Sequence, residues 1–178
     1  IMEMTIARDR WQEHLKSRGR HYHDSAAGLE ALHGSRPEAG ADAAALAAHA
    51  LAELLERCRA ARLTRNQHVL LRLGELIASV ECAGSLARRA DRALRGALGP
   101  KADHRFDPAT LATLSRVFGR EAAFRVAHEG LRLVLAADPA AAQADVAAAL
   151  RLPEIDRLQQ GLMEDMDRVA DALYERAP

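Results

Sequence analysis

Between Thr64 and Leu94 the chain reads TRNQHVLLRLGELIASVECAGSLARRADRAL, and most of it carries one apolar rhythm. Leu70, Leu73, Ile77, Val80, Gly84, Ala87 and Leu94 follow three- and four-residue steps, and Val69, Leu76, Ala83 and Ala90 widen the band. Residues so spaced share one face of a helix. A single helix over this stretch runs about 45 Å, so the fold has to be built around it. Thr64 and Gln67 make a T-x-x-Q capping box, which predicts its start. Only Asp91 interrupts the seam. The first half of the band is bulky and the second small, so a neighbouring helix can approach closely around Ala83, Gly84 and Ala87.

The flanking segments carry the same period. Met4, Ala7, Trp11, Leu15, Tyr22, Ala26, Leu29 and Leu32 predict one helix, weakened at Gly19 and ended by GSRPEAG at 34–40. From Asp42, Leu46, Ala50, Leu54 and Cys58 form a second stripe flanked by Ala47, Leu51 and Leu55. Asp107-Pro108 supplies an N-cap with proline at the first helical position, where its missing N–H costs nothing. A helix from Pro108 to about Ala137 follows. Asp138-Pro139 repeats that chemistry for a short Ala-rich helix ending near Leu152-Pro153. Ile155, Leu158, Leu162, Met166, Val169 and Leu173 then define a last helix. The expected fold is all-α, a helical bundle of about five to six helices with Leu73, Ile77, Val80, Leu158, Leu162 and Met166 in its core. Residues 1–40 form an N-terminal helix and linker, and 41–178 the bundle.

Alanine-rich composition with few aromatic residues agrees with helices over sheet. The 178 residues suit one domain. Lys plus Arg and Asp plus Glu each total 25, so no net charge points to nucleic acid. Locally the balance tilts, with eleven basic against four acidic residues over 57–105 and four against eight over 140–178. The two regions are expected to attract each other, with Arg88, Arg92 and Arg95 also able to meet an acidic partner or a phosphate. Two isolated cysteines and no long apolar span predict a reduced, cytoplasmic protein. The opening Ile-Met-Glu-Met reads as an excised piece whose upstream part is missing.

Reactive constellations are sparse. His21 and His23 project about 200° apart on a helix and cannot share an ion as an i, i+4 pair does. Glu30 and His33 make one Glu-x-x-His, a spacing that di-iron bundles need twice; an exposed helix end is the plainer reading. Cys58 and Cys82 read as small core residues. Gly84-Ser85-Leu86 falls inside the long helix. Trp11 with Arg8, Arg10, Lys16, Arg18 and Arg20 would suit a membrane surface, although Glu3, Asp9, Glu13 and Asp24 dilute that charge. No catalytic, cofactor-binding or metal-ligating residue is assigned.

The stretch NQHVLLRLGELIASVECAGSLARRADRAL resembles the C-terminal helical extension of very-long-chain-type acyl-CoA dehydrogenases. The corresponding residues are Asn66, Gln67, Leu71, Arg72, Leu73, Gly74, Glu75 and Ile77, then Leu86, Ala87, Arg88 and Ala90. The likeness spans roughly Asp42 to Arg176. It implies a non-catalytic helical domain that serves packing, dimer organisation or attachment, with fatty acyl-CoA oxidation carried out by a parent flavoenzyme. The FAD and the proton-abstracting carboxylate would lie in that parent, and the implied partners are its catalytic domains or a second copy of the chain. Two alternatives stand beside it: a free-standing bundle that binds an apolar ligand, and a domain that docks on another protein.

Overall fold

In the computed structural model, residues 2–174 are described, and all their regular elements are helical. The fold is all-α. Its helices are α1 (Met2–Lys16), α2 (His21–Ser35), α3 (Ala41–Ala60), α4 (Gln67–Leu94), α5 (Pro108–Ala137), α6 (Gln143–Ala149), α7 (Leu152–Arg157) and α8 (Leu162–Leu173). Short 3-10 turns at Pro37–Ala39 and Leu63–Arg65 precede α3 and α4. Residues 175–178, the end of the expected bundle and of the resemblance, lie outside the described part.

The expected first and last helices are each divided, which brings the count among the described residues to eight. Arg18 and Gly19 adopt left-handed backbone (φ 54° and 82°), and the Gly19 N–H donates to the His14 carbonyl at 2.8 Å, closing α1. Gly161 (φ 77°) separates α7 from α8 in the same way. Local start signals also moved. Thr64 sits in a 3-10 turn, and the α4 cap is Asn66, whose Oδ1 accepts from the N–H groups of His68 (2.9 Å) and Val69 (3.3 Å). Asp107 caps α5 as expected, accepting from Ala109 and Thr110. Asp138 instead closes a turn by accepting from the Ala140 N–H at 3.0 Å, and α6 begins only at Gln143.

Helix α3 is central and buried on nearly every side, with Ala44, Ala47, Ala50, Leu51, Leu54, Leu55 and Cys58 all at 0% exposure. It packs against α2, α4 and α5. Small residues of α5 face it: Gly119 lies against Ala43, and Gly130 against Leu54. From α4 the expected band contributes Leu73, Ile77, Val80, Ala83 and Ala87. Leu29 of α2 lies over Gly84, so the small half of α4 does admit a neighbour. Tyr22, Ala26 and Leu29 of α2 belong to this same core, so the segment before residue 40 packs with the bundle.

The far end departs from expectation. Val146, Leu150, Leu152 and Ile155 are buried. Leu158 and Leu162 are half-buried, and Met166 and Leu173 are 42% and 48% exposed. The break at Gly161 is the physical reason, because it ends the continuous stripe that the sequence period extends across it.

The tightest helix crossing lies elsewhere than the small-residue half of α4. At Gly74, α1 comes so close that an added Cβ would collide with the Glu3 backbone carbonyl. Gly74→Ala is expected to displace the start of α1 and to cost about 1–3 kcal/mol by overpacking, less up to about 1 kcal/mol gained in helix propensity. Thermal denaturation, read with the fluorescence of the single tryptophan on α1, checks both effects.

Candidate interaction surfaces

Ionic clamps hold the outer helices onto the core. In α8 the buried residue is a carboxylate, Asp165, 5% exposed. Arg116 of α5 grips it with two hydrogen bonds, Nη2 to Oδ1 at 2.6 Å and Nε to Oδ2 at 2.9 Å, and Arg120 adds a third at 2.7 Å. Arg116 also donates to the Glu38 carbonyl at 3.0 Å, so one guanidinium joins α5, α8 and the turn before α3. The Arg116 hydrogen bonds hold the Asp165 carboxyl below its ordinary range, against the opposing effect of burial. Asp91, the interruption in the α4 seam, is likewise buried, and Arg36 donates to it from beyond α2 at 3.0 Å. Arg95 completes that clamp from one turn on, just past α4.

The histidines group differently from the sequence pairing. Glu30 turns to His49 of α3 (3.0 Å to Nε2) and away from His33, which faces Asp42 at 3.9 Å. His49 Nδ1 meets His23 Nδ1 at 2.7 Å. A carboxylate only accepts, so Nε2 of His49 donates to Glu30 and a single proton bridges the two Nδ1 atoms. Burial, then the nearby His49, lowers the His23 pKa from its ordinary 6.5. Among the described residues no three His, Cys, Asp or Glu side chains are placed to hold a metal ion.

The cysteines separate. Cys58 is in the core, where burial pushes its thiol up to about 12. Cys82 is exposed, contrary to the expectation of a core position, because it lies on the α4 face turned from α3. Two of the basic residues of the first segment are engaged within the molecule. Arg10 pairs with Glu81 of α4, to which Tyr22 also donates at 2.9 Å, and Lys16 pairs with Glu13. No described helix is long and apolar enough to cross a membrane. Among the described residues, 57–105 and 140–174 form no ion pair with each other: those of the C-terminal stretch run to Arg116, Arg120 and His128 of α5, or within the stretch. Of the three arginines singled out, Arg88 donates to Ser25 at 3.4 Å, Arg92 is exposed, and Arg95, the residue just past α4, serves Asp91.

Besides Met2 and Leu15 of α1 and Phe118 and Phe124 of α5, which are also exposed, two surfaces carry apolar groups on view. One is a groove of about 610 Å³ between α1 and the start of α4, with Met4, Trp11 and Leu70 alongside Arg8, Arg65, Gln12, Gln67 and Thr64. The other is the outer side of α8, where Met163 and Leu173 stand 67% and 48% exposed beside Met166. Sequence reasoning placed Trp11 at a contact surface but put Leu162 and Met166 of α8 in the core. No sequence signal separates the two sides, because an amphipathic helix buried on its apolar stripe carries the same acidic residues on its other face. Compared with known proteins, the chain matches no family model, no curated protein and no solved structure.

Asp165→Asn is expected to cost about 2–3 kcal/mol, the scale of hydrogen bonds to charged groups. In the parent, the folded pKa lies below the ordinary 3.8. The clamp therefore contributes fully above that value and is lost as pH falls through the depressed one. Thermal melts from pH 7 to pH 2 should show the asparagine variant losing less stability than the parent at the acid end. For the histidine bridge, His49→Leu should raise the titration midpoint of His23, read from its ring proton signals by NMR.

Proposed function

We propose that this chain is a packing domain, the helical extension of an acyl-CoA dehydrogenase-type flavoenzyme, whose chemistry resides in the catalytic body it accompanies. The observation that carries this reading is where the family-like residues lie. Leu73, Ile77, Ala87 and Ala90 are core residues of α4, Asn66 caps it, and Arg72 pairs with Glu75 one turn on. The resemblance therefore rests on side chains that build a bundle. Flavin belongs to the catalytic body in this reading, and nothing in α4 is shaped to hold its phosphates. Gly84-Ser85-Leu86 is continuous helix, so its backbone N–H groups point along the helix axis to their own carbonyls. The outer side of α8 and the α1/α4 groove support a role in which surfaces, and not reacting groups, are presented to a partner.

The work of such a domain is mechanical. Ion pairs of Asp165 and Asp91 fix the outer helices at defined positions, and a partner then meets a surface of fixed shape. The reading is tested by mixing the purified chain with FAD, a long-chain acyl-CoA and an artificial electron acceptor, and by reading the coding frame around it. Expected are no retained flavin absorbance after dialysis, no acceptor reduction, and an acyl-CoA dehydrogenase body in the same frame or beside it. Acceptor reduction by this chain alone, or a neighbouring frame that encodes an unrelated protein, would overturn it.

A further inference from the structure

The two surfaces just described are complementary. On α8, Met163, Met166 and Leu173 fall on one outward side with Ala170 between them, at helical steps of three, four and three residues. Glu164, Asp167 and Asp171 repeat the same steps one position on, giving this apolar ridge an acidic border. None of these three carboxylates has an ion-pair partner among the described residues. The groove has the opposite character. Its apolar floor is Met4, Trp11 and Leu70, and its rim carries Arg8 and Arg65, neither of which is ion-paired among the described residues.

Lengths are compatible as well. Met4 and Trp11 are seven residues apart, about 10 Å along α1, and the ridge from Met163 to Leu173 runs ten residues, about 15 Å, so it spans the floor with one turn beyond it. Within one molecule they do not meet: α8 packs on α5 while α1 packs on α4, and no residue of α8 lines the groove. A ridge that fills it comes from elsewhere.

The geometry points to a second copy of this chain as the occupant, with α8 of each molecule seated in the α1/α4 groove of the other. This is helix-in-groove recognition, in which the apolar steps give affinity and the acidic border against an arginine rim sets orientation. A reciprocal pair uses each surface twice and closes on itself, as a two-fold dimer does. The inference goes beyond the packing role proposed above and does not depend on the flavoenzyme resemblance.

Sedimentation velocity of the full chain from about 5 µM to 500 µM tests it, with two charge-reversal variants. Arg8→Glu with Arg65→Glu turns the rim acidic, and Asp167→Arg with Asp171→Arg turns the border basic. The parent should dimerise, more weakly as salt is raised. Each variant alone should stay monomeric, because like charges then face each other. An equimolar mixture should dimerise again, since each groove now finds a ridge of opposite sign. Circular dichroism confirms that the variants keep the parent's helix content; should one lose it, Arg8→Gln with Arg65→Gln serves instead and should weaken the dimer at least tenfold. A parent that is monomeric throughout, variants that dimerise like the parent, or a mixture that remains monomeric would each overturn the inference. These outcomes are independent of the flavin and acyl-CoA experiment.

Discussion

Close packing of alanine on α3 against small residues of its neighbours is the contact on which the remaining architecture depends. An alanine-faced helix lets neighbours come near, and dispersion then acts between backbones as well as side chains. With Ala44, Ala47 and Ala50 fully buried, α2, α4 and α5 can all reach α3 at once. Long side chains at those positions would hold them apart. The arrangement also explains why so few aromatic residues are needed, since there is little volume left to fill.

Such a core has a cost at its edges. Small side chains bury little area each, and the stabilisation from removing apolar surface from water scales with area. Helices that do not touch α3 closely therefore need another anchor. For α8, Asp165 supplies it, held by Arg116 and Arg120 of α5, while Asp91 of α4 ties in the chain just past α2 through Arg36 and is also met by Arg95. Breaking one partner of a buried pair is far more damaging than the pair is stabilising, so these clamps specify position more than they add stability.

Much of the helical order was legible from the sequence, because period and capping are local. Asp107-Pro108 started α5 where its chemistry requires, and the α4 band went to the core in the predicted register. Where local signals competed, tertiary context decided. The T-x-x-Q box placed the cap at Thr64, but Thr64 falls in the 3-10 turn before α4 and Asn66 takes the cap. Gly19 weakened a helix in sequence terms, yet nothing there fixed whether the chain would bend or turn; the contact of α1 with α4 and of α2 with α3 required a turn. The interaction surfaces were least visible. A stripe of Leu and Met reads identically whether a helix lies against its own core or presents that face outward, and only the partners of Asp165 reveal which side of α8 is inside.

The two cysteines give the molecule an internal gauge of its own opening. Cys82 is open to reagent at all times, whereas the Cys58 thiol is enclosed by the α3 contacts and its high pKa keeps it protonated. A thiol reagent therefore consumes one equivalent at once and a second only when α3 parts from its neighbours. The lag between the two equivalents measures how often the alanine core breathes, with no label or substitution introduced.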